Sequence, residues 1–420
     1  MKRLSILFAV GIAALGVRAD RVELLSPDSV EVEEAFIANA PDGEDAVPRY
    51  LIFGNSWFAA GVGGHAKATV GEDFRASRMD PNCFMPSDIP VPSSSRNRDF
   101  NASLQQTSLF LNAVAFPDDA NRIGVYVGFN FLGTNYLPKL VAAYARYRGF
   151  TIGYNYNVFC DNATMPALVD YQGPNSATVI QTPQITWDMS FGSRRQWKVM
   201  AGIMVPQTSL TYSLSTERAR KCAPDMAASI RYYWGNGGEV QAGALLRSLS
   251  YRNQLSGNRI TRAGGGFMVN GLVPIVGGLS LGFNGVWGRG IASYIQDLSG
   301  LGYDMMPDGE RLGRLKLVET WGAYGYLRYD IGDRFTLTGV YSQVRNYLPR
   351  YVGGDLTGND DTMMIWEEKY RYGQYIAGNF SWHIRDYLTV AMEYIYGRRV
   401  DNSGRQSHAT RLQAAATFWF

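Results

Sequence analysis

Arg411-Leu412-Gln413-Ala414-Ala415-Ala416-Thr417-Phe418-Trp419-Phe420 is the stretch whose reading decides the fold. Leu412, Ala414, Ala416, Phe418 and Phe420 fall on one face, and Arg411, Gln413, Ala415 and Thr417 on the other. Period-two alternation of this kind is what a strand shows between an apolar and a polar medium. The stretch before it repeats the pattern, with Leu388, Val390, Met392, Tyr394 and Tyr396 set against Thr389, Ala391 and Glu393. Trp197, Val199, Ala201, Ile203 and Val205 alternate likewise with Lys198, Met200 and Gly202. In each case one face suits lipid.

Working back along the chain, sixteen such segments can be placed, from about residue 56 to 420, and the connections between them alternate in length. Short turns such as Arg148-Gly149-Phe150, Gly192-Ser193-Arg194 and Ile331-Gly332-Asp333 separate mostly longer loops, the largest being 75–103, 160–180, 207–223, 290–317 and 347–368. In lipid every backbone N–H and C=O must be paired, and only a closed sheet leaves no edge. The pattern therefore predicts an all-β, transmembrane antiparallel β-barrel of 16 strands, with short periplasmic turns and long outer loops. Tyr394, Tyr396, Trp382 and Trp419 fit interfacial girdles. Phe418 and Phe420 are expected to close the sheet against the first strand near Trp57 and Phe58.

Composition agrees. The 420 residues include 46 Gly, 26 Tyr, 20 Phe and 9 Trp but only 3 His, a mixture poor in helix formers. No stretch beyond the first twenty residues is apolar enough for a membrane helix. Lys2 and Arg3, the apolar run Leu4–Leu15 and Val17-Arg18-Ala19 read as a signal peptide over 1–19, cleaved before Asp20. Cleavage leaves a chain of neutral net charge, unevenly divided. Residues 20–47 carry nine acids (Asp20, Glu23, Asp28, Glu31, Glu33, Glu34, Asp42, Glu44, Asp45) and one base, Arg21, so the body that follows is basic. The organisation expected is a short acidic periplasmic segment over 20–48 and an outer-membrane barrel over 49–420. Nothing points to a cofactor, a metal or a nucleic-acid partner.

Catalytic patterns are sparse. His65, His383 and His408 are scattered, and GVGG at 61–64 and AGGG at 263–266 lack the context of a nucleotide site. A lipid hydrolase using His65 and Ser381 is a remote alternative, as is an adhesin; the chain reads as a non-enzyme. Parity sends Arg146, Arg148, Arg231, Arg247, Arg328 and Arg411 to the lumen or its rims, together with Lys67 and Lys198. These arginines are the expected selectivity residues, and fixed positive charge in a pore favours passage of anions. Inward Tyr126, Asn130, Asn155 and Asn157 would suit a channel for neutral or sugar-like solutes instead. The third outer loop, 160–180, contains Asp161, Asp170, Tyr171 and Gln172 between Pro166, Gly173 and Pro174, and is expected to fold inward as a constriction. Cys83 and Cys160 lie on the first and third outer loops and are the candidate disulfide, with Cys222 left over.

Several strings resemble the DcaP-type porins of Gram-negative bacteria: PALVDYQGPNSATVIQTPQITW at 166–187, APDMAASIRYYW at 223–234, AGALLRSLSYRN at 242–253, GFNGVWGRGIASYIQDLSG at 282–300 and the ending RLQAAATFWF. The similarity runs from about residue 55 to 420. It implies a sixteen-stranded homotrimeric outer-membrane porin passing small hydrophilic solutes passively, with dicarboxylate-like anions preferred. It also implies that Leu168–Pro174 is the constriction-loop motif and that Arg231, Arg247 and Arg411 stand where inner-wall arginines recur. The heptad-patterned periplasmic stalk that members can carry has no counterpart here, because residues 20–48 are short and broken by Pro27, Pro41 and Pro48.

Overall fold

The computed structural model describes residues 23–24, 30–49, 52–55, 57–75, 79–92, 98–115, 121–221, 223–349 and 366–420. The expected signal peptide and Cys222 lie outside the described residues. Sixteen antiparallel strands form the wall. They are β1 Phe58–Phe74, β2 in two pieces (Arg98–Ser103 and Ser108–Ala115), β3 Ile123–Asn130, β4 Lys139–Tyr147 and β5 Phe150–Tyr156. Next come β6 Gln181–Phe191, β7 Trp197–Met204, β8 Asp225–Trp234, β9 Gly238–Asn253, β10 Arg259–Val276 and β11 Leu279–Arg289. The wall ends with β12 Glu319–Ile331, β13 Phe335–Tyr347, β14 Tyr370–Arg385, β15 Leu388–Asp401 and β16 Gln406–Trp419.

Each strand pairs with the next, and β16 closes on β1 from Thr410 opposite Phe74 to Trp419 opposite His65. The closure differs from the expected one in place. Phe420 exchanges backbone hydrogen bonds with Gly64, at 2.9 and 3.0 Å, while Phe58 lies opposite Ala115 of β2. The start of β1 thus runs past the end of β16 and carries a hairpin, Ile52–Asn55 folded back on Phe58–Gly61.

Parity does what the sequence requires. Leu412, Phe418, Met392 and Tyr394 are exposed, whereas Arg411, Gln413 and Glu393 between them are buried. Such a continuous apolar exterior is incompatible with water on that side. At the short-turn rim Phe191, Trp197, Tyr232 and Trp234 form a chain of ring contacts across β6, β7 and β8, with Trp197 and Tyr232 4.6 Å apart. Tight turns set the hairpin registers. Gly277 and Gly278 join β10 to β11 with φ of 54° and 84°, the paired positive angles of a two-residue hairpin turn.

The lumen is not the open, wet, basic tube that parity alone suggests. Loop residues 290–318, after β11, fold inward and bury Ile291, Tyr294, Ile295 and Leu298 against Phe159, Leu245, Met268 and Val344. Loop residues 79–92, after β1, do the same with Phe84 and Ile89 against Tyr375 and Ile395. Each such side chain taken out of water stabilises by about 1.5–3 kcal/mol. The part of the lumen beneath the long loops is accordingly a packed core.

Candidate functional site

The inner face of β4–β9 carries the charge. Arg146 of β4, Asp188 of β6, Lys198 of β7, Arg231 of β8 and Gln241 of β9 all line one cavity of about 80 Å³. Lys198 stands directly opposite Arg231, and Arg231 opposite Gln241. Like charges in directly opposed positions repel, so acids must be present to hold them. Asp188 lies 3.1 Å from Arg146 and 3.7 Å from Lys198. Arg231 has Glu239 at 3.6 Å and a second acid, Asp42, at 2.9 Å.

Asp42 belongs to the acidic segment over 20–48, and its described part meets the inner wall. Helix α1, Val30–Asn39, and the chain that follows to Arg49 lie inside the barrel. Pro41 stops the helix because it cannot donate the next backbone bond, and Pro41–Glu44 then form a turn, Glu44 N–H to Pro41 O at 3.2 Å. Gly43 takes a φ of 77° in that turn, and a Cβ there would lie 2.8 Å from Asn162. The wall is shaped for the segment. Asn39 donates to Asn112 at 2.7 Å, Asn112 to the carbonyls of Phe36 and Ala46 at 2.9 Å, and Tyr126 to that of Asp45 at 2.8 Å. Tyr144 and Arg146 donate to the carbonyls of Asn39 and Ala38, and Tyr156 to the Glu44 carboxylate. Within the segment the Asp42 carboxylate meets Arg231 and Asp45 meets His65.

The titration of these acids separates them. Burial works against ionisation of Asp42, but the charge of Arg231, with Lys198 and Arg146 behind it, outweighs burial and holds its carboxyl below the usual range. Glu44, buried without a basic partner of that strength, is pushed up to about 7.

The third loop, 157–180, crosses the lumen. At its root Asp161 accepts the Thr178 N–H at 3.0 Å, and burial pushes its carboxyl up to about 6. At its tip the Glu393 carboxylate of β15 accepts the N–H groups of Val169 and Asp170 at 2.9 and 3.0 Å, and Lys67 donates to Val169 O at 3.1 Å. Asp170 in turn accepts the Phe84 N–H and the Tyr375 hydroxyl, both at 3.0 Å. Burial, with Glu393 adding repulsion, pushes its carboxyl up to about 7. Tyr171 is partly exposed and takes a bond from Asn130, and the Gln172 N–H returns to Asp170 at 3.3 Å.

The six arginines do not share one environment. Arg146 and Arg231 face the cavity. Arg247 is fully buried between Asp225 and Asp304, 3.0 Å from each, and Arg411 is fully buried against Asp73 at 2.6 Å. Those two brace the wall and the loops and do not meet solute. Arg148, in the β4–β5 turn, donates to Asn121, and Arg328 pairs with Asp330 at 3.0 Å, so both lie at the short-turn rim. Parity assigned these six to the lumen or its rims alike and carried no sign of which would be matched by loop acids.

Cys83 and Cys160 are separate thiols. Cys160 lines the cavity at the root of the third loop, while Cys83 precedes Phe84 at the loop's tip, so the fold holds them at opposite ends of that loop. His65 and Ser381 are not brought together. His65 Nδ1 faces Asp45 at 2.6 Å and its Nε2 faces the Gln106 carbonyl at 3.0 Å, which leaves no nitrogen free as a base, and Ser381 donates to Asn379.

No protein-family model matches the chain, and no curated protein matches it by sequence. Solved structures do match. The outer membrane channel DcaP of Acinetobacter baumannii superimposes with a TM-score of 0.72 at 15% identity, over 87% of this chain and 99% of that one. An anion-selective porin from Comamonas acidovorans follows at 0.55 and 8% identity, over 86% and 100%. OmpT, an outer membrane protein of Vibrio cholerae, gives 0.52 at 10% identity, over 88% and 99%. The chain thus has the fold of outer-membrane channels, and among these three the likeness to the DcaP channel is the strongest.

Proposed function

We propose that this protein is a passive diffusion channel of the bacterial outer membrane for small hydrophilic solutes, with a preference for anions. The observation that carries the reading is the wall of Arg146, Lys198 and Arg231 bordering the cavity beside the third loop. Guanidinium groups stay charged at any working pH, and on the wall strands Arg146, Lys198 and Arg231 outnumber the acids Asp188 and Glu239, an excess of positive charge that raises the local concentration of anions. The fold shared with the Comamonas anion-selective porin is consistent with it. The third loop is the constriction in this reading, and the short turns face the periplasm.

A homotrimer is part of the proposal. Strands β3–β5 are only seven to nine residues long, while β9 and β10 run for 16 and 18. A strand needs about 9–11 residues to cross a bilayer, so the low wall is the side best covered by neighbouring copies. Analytical ultracentrifugation in detergent should return three chains per particle; a monomer with full channel activity would contradict this part. For transport, proteoliposomes containing the protein should take up small dicarboxylates faster than neutral sugars of equal size. Equal rates would leave the channel and remove the anion preference.

A further inference from the structure

The acidic segment is the element that a diffusion channel does not need. Its placement is specific: side chains of β2, β3, β4, β5 and β8 reach its backbone carbonyls or carboxylates. Gly124 of β3 lies so close to it that a Cβ would sit 1.8 Å from the Asn39 side chain. The Asp42 carboxylate is bound to Arg231, yet its side chain is 48% exposed, toward the cavity. It therefore occupies the position that a permeating carboxylate would take on that wall.

The mode of attachment also matters. The contacts combine hydrogen bonds and ion pairs, which water can replace, with two small apolar clusters, Phe36 against Ala59 and Val114, and Ala40 with Ala46 against Phe110, Tyr126 and Tyr144. Both ends of the segment leave by the short-turn rim. Glu23–Leu24 pairs with the hairpin strand Ile52–Asn55, next to the start of β1, and Arg49 donates to the Asp386 carbonyl in the β14–β15 turn. The described flanks on both sides of the segment thus lie at one rim.

We infer that residues 30–49 are a built-in gate: a tethered acidic hairpin that competes with permeating anions for the Arg231 wall and opens the passage when it withdraws. This rests on the anion-channel reading, and the test separates the two. Single-channel currents are recorded for the parent, for Asp42→Asn, and for a variant with Asn39→Cys and Gly124→Cys in a background where the three native cysteines are Ser. Oxidation of the paired cysteines pins the segment to β3. The pinned channel is expected to hold one low conductance level, and reduction should restore excursions to a higher one. Asp42→Asn should raise the time spent at the higher level and move the reversal potential toward anions by roughly two-fold in permeability ratio.

Identical traces before and after reduction, together with an Asp42→Asn channel like the parent, would make the segment a fixed lining and overturn the gate. A parent selective for cations would overturn the anion reading, while the reduction step would still decide the gate. Silence of the parent and of both variants would overturn the passage itself and the gate with it.

Discussion

Two regions of the same lumen are filled by different materials. On one side, loops after β1 and β11 pack Phe84, Ile89, Ile291, Tyr294 and Leu298 into an apolar core sealed by fully buried pairs such as Arg247 with Asp225 and Asp304. On the other, beside β2–β8, the filling is the acidic segment, held by wall hydroxyls, amides and arginines on its backbone and by two smaller apolar clusters around Phe36 and Ala40. An apolar core and a desolvated ion pair come apart only at high cost, whereas bonds that water can replace come apart readily. The first filling is therefore structural, and the second is suited to movement.

The sharpest way to break this contrast is on the loop side. Arg247→Ala strands two buried carboxylates and should destabilise the barrel by about 3–5 kcal/mol, read as a lower denaturation midpoint in detergent. A variant as stable as the parent would mean that the loops are not welded to the wall. Gly124→Val comes next. Its side chain would invade the space of Asn39 and should expel the segment, raising mean conductance roughly two-fold while the wall strands stay paired. An intact barrel with unchanged conductance would place the segment outside the permeation path.

Deleting Phe420 removes the two backbone bonds to Gly64 and should reduce the yield of assembled barrel on unheated gels, with any barrel that does form conducting normally. Equal yield would relocate the closure. The smallest effect expected is that of pH. The docked Glu44 carboxyl titrates near 7 against an ordinary value of 4.5, so docking is strongest below about pH 4.5 and weakens as the pH rises through 7. Tyr156, His65, Asp45, Tyr126, Tyr144 and Tyr171 surround Glu44, and Asp42 stays ionised throughout this window. The high-conductance level should be more populated at pH 8 than at pH 5, and Glu44→Gln should abolish the difference. A difference of the opposite sign would contradict the assignment.

Much of the architecture was legible because lipid enforces a local code. Alternation along Arg411–Phe420 and Leu388–Tyr396 reports directly which residues face out, and the long and short connections order the strands. The third loop was legible too, since Pro166, Gly173 and Pro174 mark a bent, compact excursion. What parity could not supply is the partner of an inward charge. Arg231 and Arg247 look alike in their strands, yet one meets Asp42 beside a cavity and the other Asp304 in a dry core. Those partners lie 189 residues away in the first case and in a folded loop in the second. One signal was present. A Pro41-Asp42-Gly43-Glu44 turn in an acidic stretch, ahead of a basic body, is the pattern of a segment with somewhere to dock.

The central claim is that solute passes along the Arg146–Lys198–Arg231 wall, and the reversal potential of single channels under a KCl gradient tests it most directly. The parent should be anion-selective, Lys198→Gln with Arg231→Gln should move the potential toward zero, and Arg247→Gln should leave it in place. A cation-selective parent, or a potential that follows Arg247 and ignores Arg231 and Lys198, would contradict the account.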